Sequence, residues 1–245
     1  MQITERNYPV LRRLRTGTMG VTDVGEIDRS EIMQNIESIK SLWSVCYEEF
    51  GKHIFYICKS MEKAVFESAP KLQASGCLDE IRNENNQGTV LFGKWQICYE
   101  LYGVNGIIMA FRDNELVYVH CKGLMYTTKN IGMVDGEQFN ASWIFDILWA
   151  SLLFMKYAKV ETKEMGKMKK EVFNNEKYVN NSQNNIIIVD CLWIVNLIRS
   201  GAFKVRGHFR LQPYLDRKEL IWISEFEKHG YTRKAKKLSF YPEEA

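Results

Sequence analysis

The chain of 245 residues is poor in the residue patterns that most directly announce a chemistry. Six cysteines, at positions 46, 58, 77, 98, 121 and 191, form no C-x-x-C pair and match no zinc-finger or zinc-ribbon spacing. They are too sparse for a disulfide scaffold. Cys46, Cys58, Cys98 and Cys191 lie in apolar stretches, where a free thiol behaves as a small buried hydrophobe, so a reducing cytoplasmic setting is expected. Only four histidines occur: His53, His120, His208 and His229. No P-loop, H-E-x-x-H, nucleophile elbow or dinucleotide glycine pattern is present, and neither a metal site nor a cofactor is expected. The most apolar stretch, residues 143–158, is interrupted by Asp146 and falls short of the ~20 residues a membrane span needs. It reads as a buried helix, and no membrane partner is expected. Residues 1–15 mix Leu11 and Leu14 with Arg12, Arg13 and Arg15 and lack the apolar core of a signal peptide.

What remains is an ordinary globular composition, 46% apolar and 26% charged, which excludes wholesale disorder. After a short basic stretch and loop over 1–28, Asp28 or Ser30 can cap a helix with Glu31 in its first turn. Ile32, Ile36, Ile39, Trp43, Cys46 and Phe50 then recur at three- and four-residue steps, one buried helical stripe. Gly51 breaks or kinks this helix, a second helical run over 54–66 continues toward Pro70 with His53 as a core residue, and residues 70–88 read as a polar connection. Residues 90–101, 107–111 and 116–121 read as strands of an antiparallel meander, with Asp113-Asn114 as a tight turn.

Asn140 or Ser142 opens a further helix carrying Trp143, Ile147, Leu148, Leu152 and Met155, with a solvated charged tail over 159–170. An Asn-rich connection over 174–185 leads to Ile186-Ile187-Ile188-Val189, a strand expected to be covered on both faces. Asp190 ends it, offering either a carboxylate to a site or a cap to a short helix over 191–199. Residues 203–211 and 220–223 read as strands with Pro213, Tyr214 and Asp216 in the turn. The expected fold is α+β, antiparallel sheet elements packed with several helices, forming one domain over 29–245.

The net charge of +3 conceals a polarised chain. Residues 199–238 hold eleven Lys/Arg against four Asp/Glu, a local +7, which leaves −4 for the remainder. Along Lys204-Val205-Arg206-Gly207-His208-Phe209-Arg210, alternation puts Lys204, Arg206, His208 and Arg210 on one face and Val205, Phe209 and Leu211 on the other. Arg217, Lys218 and Tyr214 stand nearby, Tyr214 and Phe209 being the aromatics best placed to touch a base. A cationic strip of this kind concentrates polyanions and releases counterions from phosphates.

The segments Phe203-Lys-Val-Arg-Gly-His-Phe-Arg-Leu-Gln-Pro213, Leu220-Ile-Trp-Ile-Ser-Glu-Phe226 and Gly230-Tyr-Thr-Arg233 resemble a C-terminal segment recurring in uncharacterised proteins of bacteriophages and mobile elements, particularly those of Bacteroidetes hosts. The resemblance covers about 50 residues, from Ile186 onward. It implies a genomic setting, hence the host-cell cytoplasm, and no established activity.

Three kinds of function follow from the strip. The first is non-specific binding of DNA or RNA through Lys204, Arg206, His208, Arg210, Tyr214, Arg217 and Lys218. The second is a metal-independent ribonuclease or toxin-like enzyme in which His208, flanked by Arg206 and Arg210, acts as general acid or base. A protein-binding factor that docks the strip on an acidic host or virion surface is a further alternative.

Overall fold

The structure, a computed structural model, describes residues 1–19, 29–74, 86–102, 105–121, 124–127, 142–158, 160–191, 203–205, 208–213, 218–223 and 226–228. Its centre is an eight-stranded mixed sheet in the order β7 (Leu124–Thr127), β6 (Glu115–Cys121), β5 (Asn105–Arg112), β4 (Trp95–Tyr102), β3 (Asn86–Phe92), β2 (Ile54–Ile57), β11 (Ile186–Asp190), β8 (Glu161–Met165). The meander supplies β3 (Asn86–Phe92), β4 (Trp95–Tyr102), β5 (Asn105–Arg112), β6 (Glu115–Cys121) and β7 (Leu124–Thr127), each antiparallel to the next. Asp113, at φ 53°, turns β5 into β6 as expected.

β2 (Ile54–Ile57) lies parallel to both β3 and β11 (Ile186–Asp190), and β8 (Glu161–Met165) closes that edge antiparallel to β11. A second sheet joins β1 (Gln2–Ile3), β10 (Glu176–Asn180) and β9 (Lys170–Phe173).

Helices cover both faces of the large sheet, and strand alternation divides the core accordingly. Ile57, Val90, Ile97, Tyr99, Ile108 and Ala110 meet α3 (Lys59–Ala74) and α4 (Ser142–Tyr157) on one face. Ile54, Tyr56, Leu91, Cys98, Met109 and Phe111 meet α1 (Val10–Thr16) and α2 (Arg29–Lys52) on the other. The protein is therefore α+β, with a parallel centre inside an otherwise antiparallel sheet.

The α2 stripe is as expected from Ile36 to Phe50, all buried, although α2 begins at Arg29, which puts Ser30 inside the helix rather than at its cap. Asp28 lies outside the described residues.

Several expectations are corrected. Residues 54–57 form a central strand and not the start of a helix, because β3 and β11 offer a backbone ladder on both sides. The helix begins at Lys59 and runs through Pro70 to Ala74. His53 is exposed in the link between α2 and β2, stacked on Phe55 at 6.1 Å, not buried in a helix. Residues 86–88, read as connection, begin β3. Gly88 is needed there, since a Cβ would sit 2.5 Å from the His53 carbonyl oxygen. The tail after α4 is the edge strand β8, exposed from Glu161 to Glu164, and the Asn-rich stretch contains the β9–β10 turn with Asn174 and Asn175 at positive φ.

The N-terminal stretch is built into the fold. β1 pairs with β10, and Val10, Leu11 and Leu14 are buried beside α2. β11 is flanked by strands on both sides, with Ile186, Ile188 and Val189 buried, as the four-residue β-branched run implied. Among the described residues, no helix is long and apolar enough to cross a membrane.

Candidate functional site

The basic C-terminal segment forms two separate ladders. β12 (Phe203–Val205) pairs with β15 (Phe226–Lys228), and β13 (His208–Pro213) pairs with β14 (Lys218–Ile223). In the second ladder Phe209 stands opposite Trp222 and Leu211 opposite Leu220, and these four face α4. The Phe209 ring meets Trp222 at 4.8 Å, Phe154 at 5.3 Å and Tyr157 at 6.4 Å. The half-buried ring is thereby packed against α4 and Trp222.

Alternation turns the next residue outward: Arg210 is exposed, opposite Ile221. His208 pairs with Ile223 in the same ladder. Lys218 is exposed at the end of the ladder opposite Pro213, which places it on the face away from Arg210. Glu219, one row from Arg210, shares Arg210's face. Lys204 stands opposite Glu227 in the other ladder. Arg206, Tyr214 and Arg217 lie outside the described residues, as do residues 192–199 of the helix expected over 191–199.

The edge of the large sheet where β2, β3, β5 and β11 end carries a second constellation. The turns at Gly93-Lys94 and Asp113-Asn114 and the segment before α1 enclose a cleft of about 410 Å³ there, lined by Arg6, Tyr8, Lys94, Asp113 and Asn114 among others. Buried polar side chains hold its walls. Gln96, fully buried, accepts from the Val10 amide at 2.8 Å and donates to the Asp113 carbonyl at 2.6 Å. Arg13, 4% exposed, donates through Nη2 to the carbonyl and Oδ1 of Asn114 and lies over the Phe111 ring at 4.7 Å. Glu62 accepts from the Gly93 amide at 2.8 Å, and burial raises its carboxyl above the ordinary range.

Asp190 and its neighbours form a third group at the same edge. Asp190 accepts from the Cys191 amide at 2.7 Å, from the Ser60 hydroxyl and from Asn174 Nδ2 at 2.9 Å. It ties β11, the start of α3 and the β9–β10 turn together. Tyr178 donates to Glu176 at 3.0 Å, so its single proton leaves Cys58, 3.1 Å away, to donate to the phenol oxygen. Burial pushes the Cys58 thiol up to about 12 and raises the Tyr56 and Tyr178 phenols as well. A thiol kept protonated is not a nucleophile. This group is a clamp.

Among the described residues, no cluster of His, Cys, Asp and Glu is arranged to hold a metal ion. No protein-family model and no curated protein matches the chain.

Proposed function

We propose that the protein is an accessory protein of a phage or mobile element that binds nucleic acid, with little sequence preference, through its basic C-terminal β segment. It would act in the cytoplasm of the cell that makes it. The observation that carries this reading is the outward Arg210 on a hairpin whose opposite face is anchored to α4 by Phe209 and Trp222. A guanidinium on an anchored ribbon meets phosphate oxygens with less ordering cost than one on a free tail. The local +7 over 199–238 supports the same reading. Phosphates contact backbone-binding cations without regard to base identity, hence the weak specificity.

Fluorescence anisotropy with labelled single- and double-stranded DNA and RNA at two salt concentrations tests it. Binding should fall with salt, and the combined reversal Arg206→Glu and Arg210→Glu should abolish it. Absence of any salt-dependent binding would refute it. His208→Ala should retain most of the binding, which the cations carry; RNA cleavage by the native chain that disappears in this variant would favour the enzyme instead.

A further inference from the structure

The cleft between the Gly93-Lys94 and Asp113-Asn114 turns invites a ligand of its own. Buried polar groups are costly unless fully bonded, and a sheet core gains more from apolar side chains at the same positions. Here Gln96 and Arg13 are buried, and their bonds run to the walls of the cleft: the start of α1, the Asp113 carbonyl and the Asn114 carbonyl and side chain. Glu62 fixes the opposite wall through Gly93, and the Asp113 amide reaches the Lys94 carbonyl at 3.2 Å. Segments far apart in the chain are thus held at set distances around an open volume of about 410 Å³, within the range of small-molecule sites. The cleft lies beyond the carboxyl ends of β3 and β5, at the hairpin turns that lead into β4 and β6.

The groups facing the cleft specify the ligand. Arg6 and Lys94 are exposed on its rim, and neither has an ion-pair partner among the described residues. The buried Arg13 guanidinium stands directly behind the Asn114 turn and adds to the positive field. Asp113 is the carboxylate on the lining, suited to accept from hydroxyl groups. Asn114 uses Oδ1 toward Arg13, so its amide nitrogen is left to donate; Asn7 uses Nδ2 toward the Gln2 carbonyl, so its oxygen is left to accept.

We propose that this cleft binds a small phosphorylated, hydroxyl-bearing molecule, its phosphate between Arg6 and Lys94 and its hydroxyls on Asp113 and the two asparagines. The shared chemistry is that of sugar phosphates and nucleoside monophosphates. The site is separate from the C-terminal hairpin and does not depend on that reading.

Isothermal titration of the full chain at low salt with ribose 5-phosphate, AMP, UMP, adenosine and inorganic phosphate is the test. Expected is one saturable site for the phosphorylated sugars, with adenosine and inorganic phosphate at least about tenfold weaker. Arg6→Glu and Lys94→Glu, both surface changes, should each weaken binding about tenfold or more with the melting temperature unchanged, while Arg210→Glu leaves it as it was. The ribose 5-phosphate arm against the AMP and UMP arms shows whether the base contributes. Failure of every phosphorylated sugar to saturate the chain at millimolar concentration, equal binding of inorganic phosphate, or undiminished binding by the two charge-reversed variants would each overturn the proposal.

Discussion

Gln96→Leu tests the brace on which the cleft depends. The substitution keeps the bulk of the side chain and removes its bonds to the Val10 amide and the Asp113 carbonyl. Val10 is wholly buried, so its N–H loses its partner with little access to water, a cost of about 2 kcal/mol. Asp113 is exposed, and its carbonyl can turn to solvent for about 1 kcal/mol. Leucine recovers about 1 kcal/mol because no amide has to be desolvated. The net loss is about 2 kcal/mol, which for a chain of this size lowers Tm by about 4–8 °C. Differential scanning calorimetry at pH 7 reads it, with Gln2→Leu, on an exposed residue, as a control expected to stay within about 0.5 kcal/mol. Amide exchange at Val10 should accelerate in the Gln96 variant alone. A Tm equal to or above that of the native chain, with Val10 still protected, would refute the reasoning.

Four further outcomes are expected. Gly88→Ala drives a methyl against the His53 carbonyl at a φ of +151° and should cost about 2–4 kcal/mol by denaturant unfolding, whereas Gly51→Ala, with nothing within 4 Å, should be neutral or slightly stabilising. Phe209→Ala removes the ring that joins Phe154, Tyr157 and Trp222; hydrogen exchange over 208–213 and 218–223 should rise at least about tenfold, and nucleic-acid binding should weaken with it. Burial pushes the Cys46, Cys58 and Cys98 thiols up to about 12, so the unfolded chain ionises first as the pH climbs. Their stabilising effect is therefore whole below about pH 8.5 and lost as the pH rises toward 12, visible as a Tm that holds to that point and then declines. At pH 8 a thiol reagent should label half-buried Cys121 well before these three.

Elements whose own pattern matches one regular backbone were legible in advance. The Ile36-to-Phe50 stripe, the apolar helix after Ser142 and the meander with its Asp113-Asn114 turn each satisfy a single periodicity, and the Ile186–Val189 strand was legible from four consecutive β-branched residues. β2 was not legible, since Ile54-Phe55-Tyr56-Ile57 is an apolar run too short to separate strand from helix without its neighbours. Nor were β8, β9 and β10. Their largely exposed, charged and Asn-rich residues lack the alternation that a one-sided core imposes. In the hairpin, the inward Phe209 and Leu211 and the outward Arg210 followed from alternation. The position of Lys218 on the other face followed only from register.

Local hydrophobic rhythm and charge density, carried by residues next to one another, were thus enough to establish the α+β class, the main helices and the basic C-terminal segment. The tertiary structure alone decided the parallel centre of the sheet and the inward turn of Arg13, whose neighbours in sequence read as a short basic stretch. It alone brought Arg6, Lys94 and Asp113 around one cleft. The reason is physical: a buried polar group is tolerated only where a distant segment completes its hydrogen bonds, and no short stretch of sequence contains both partners.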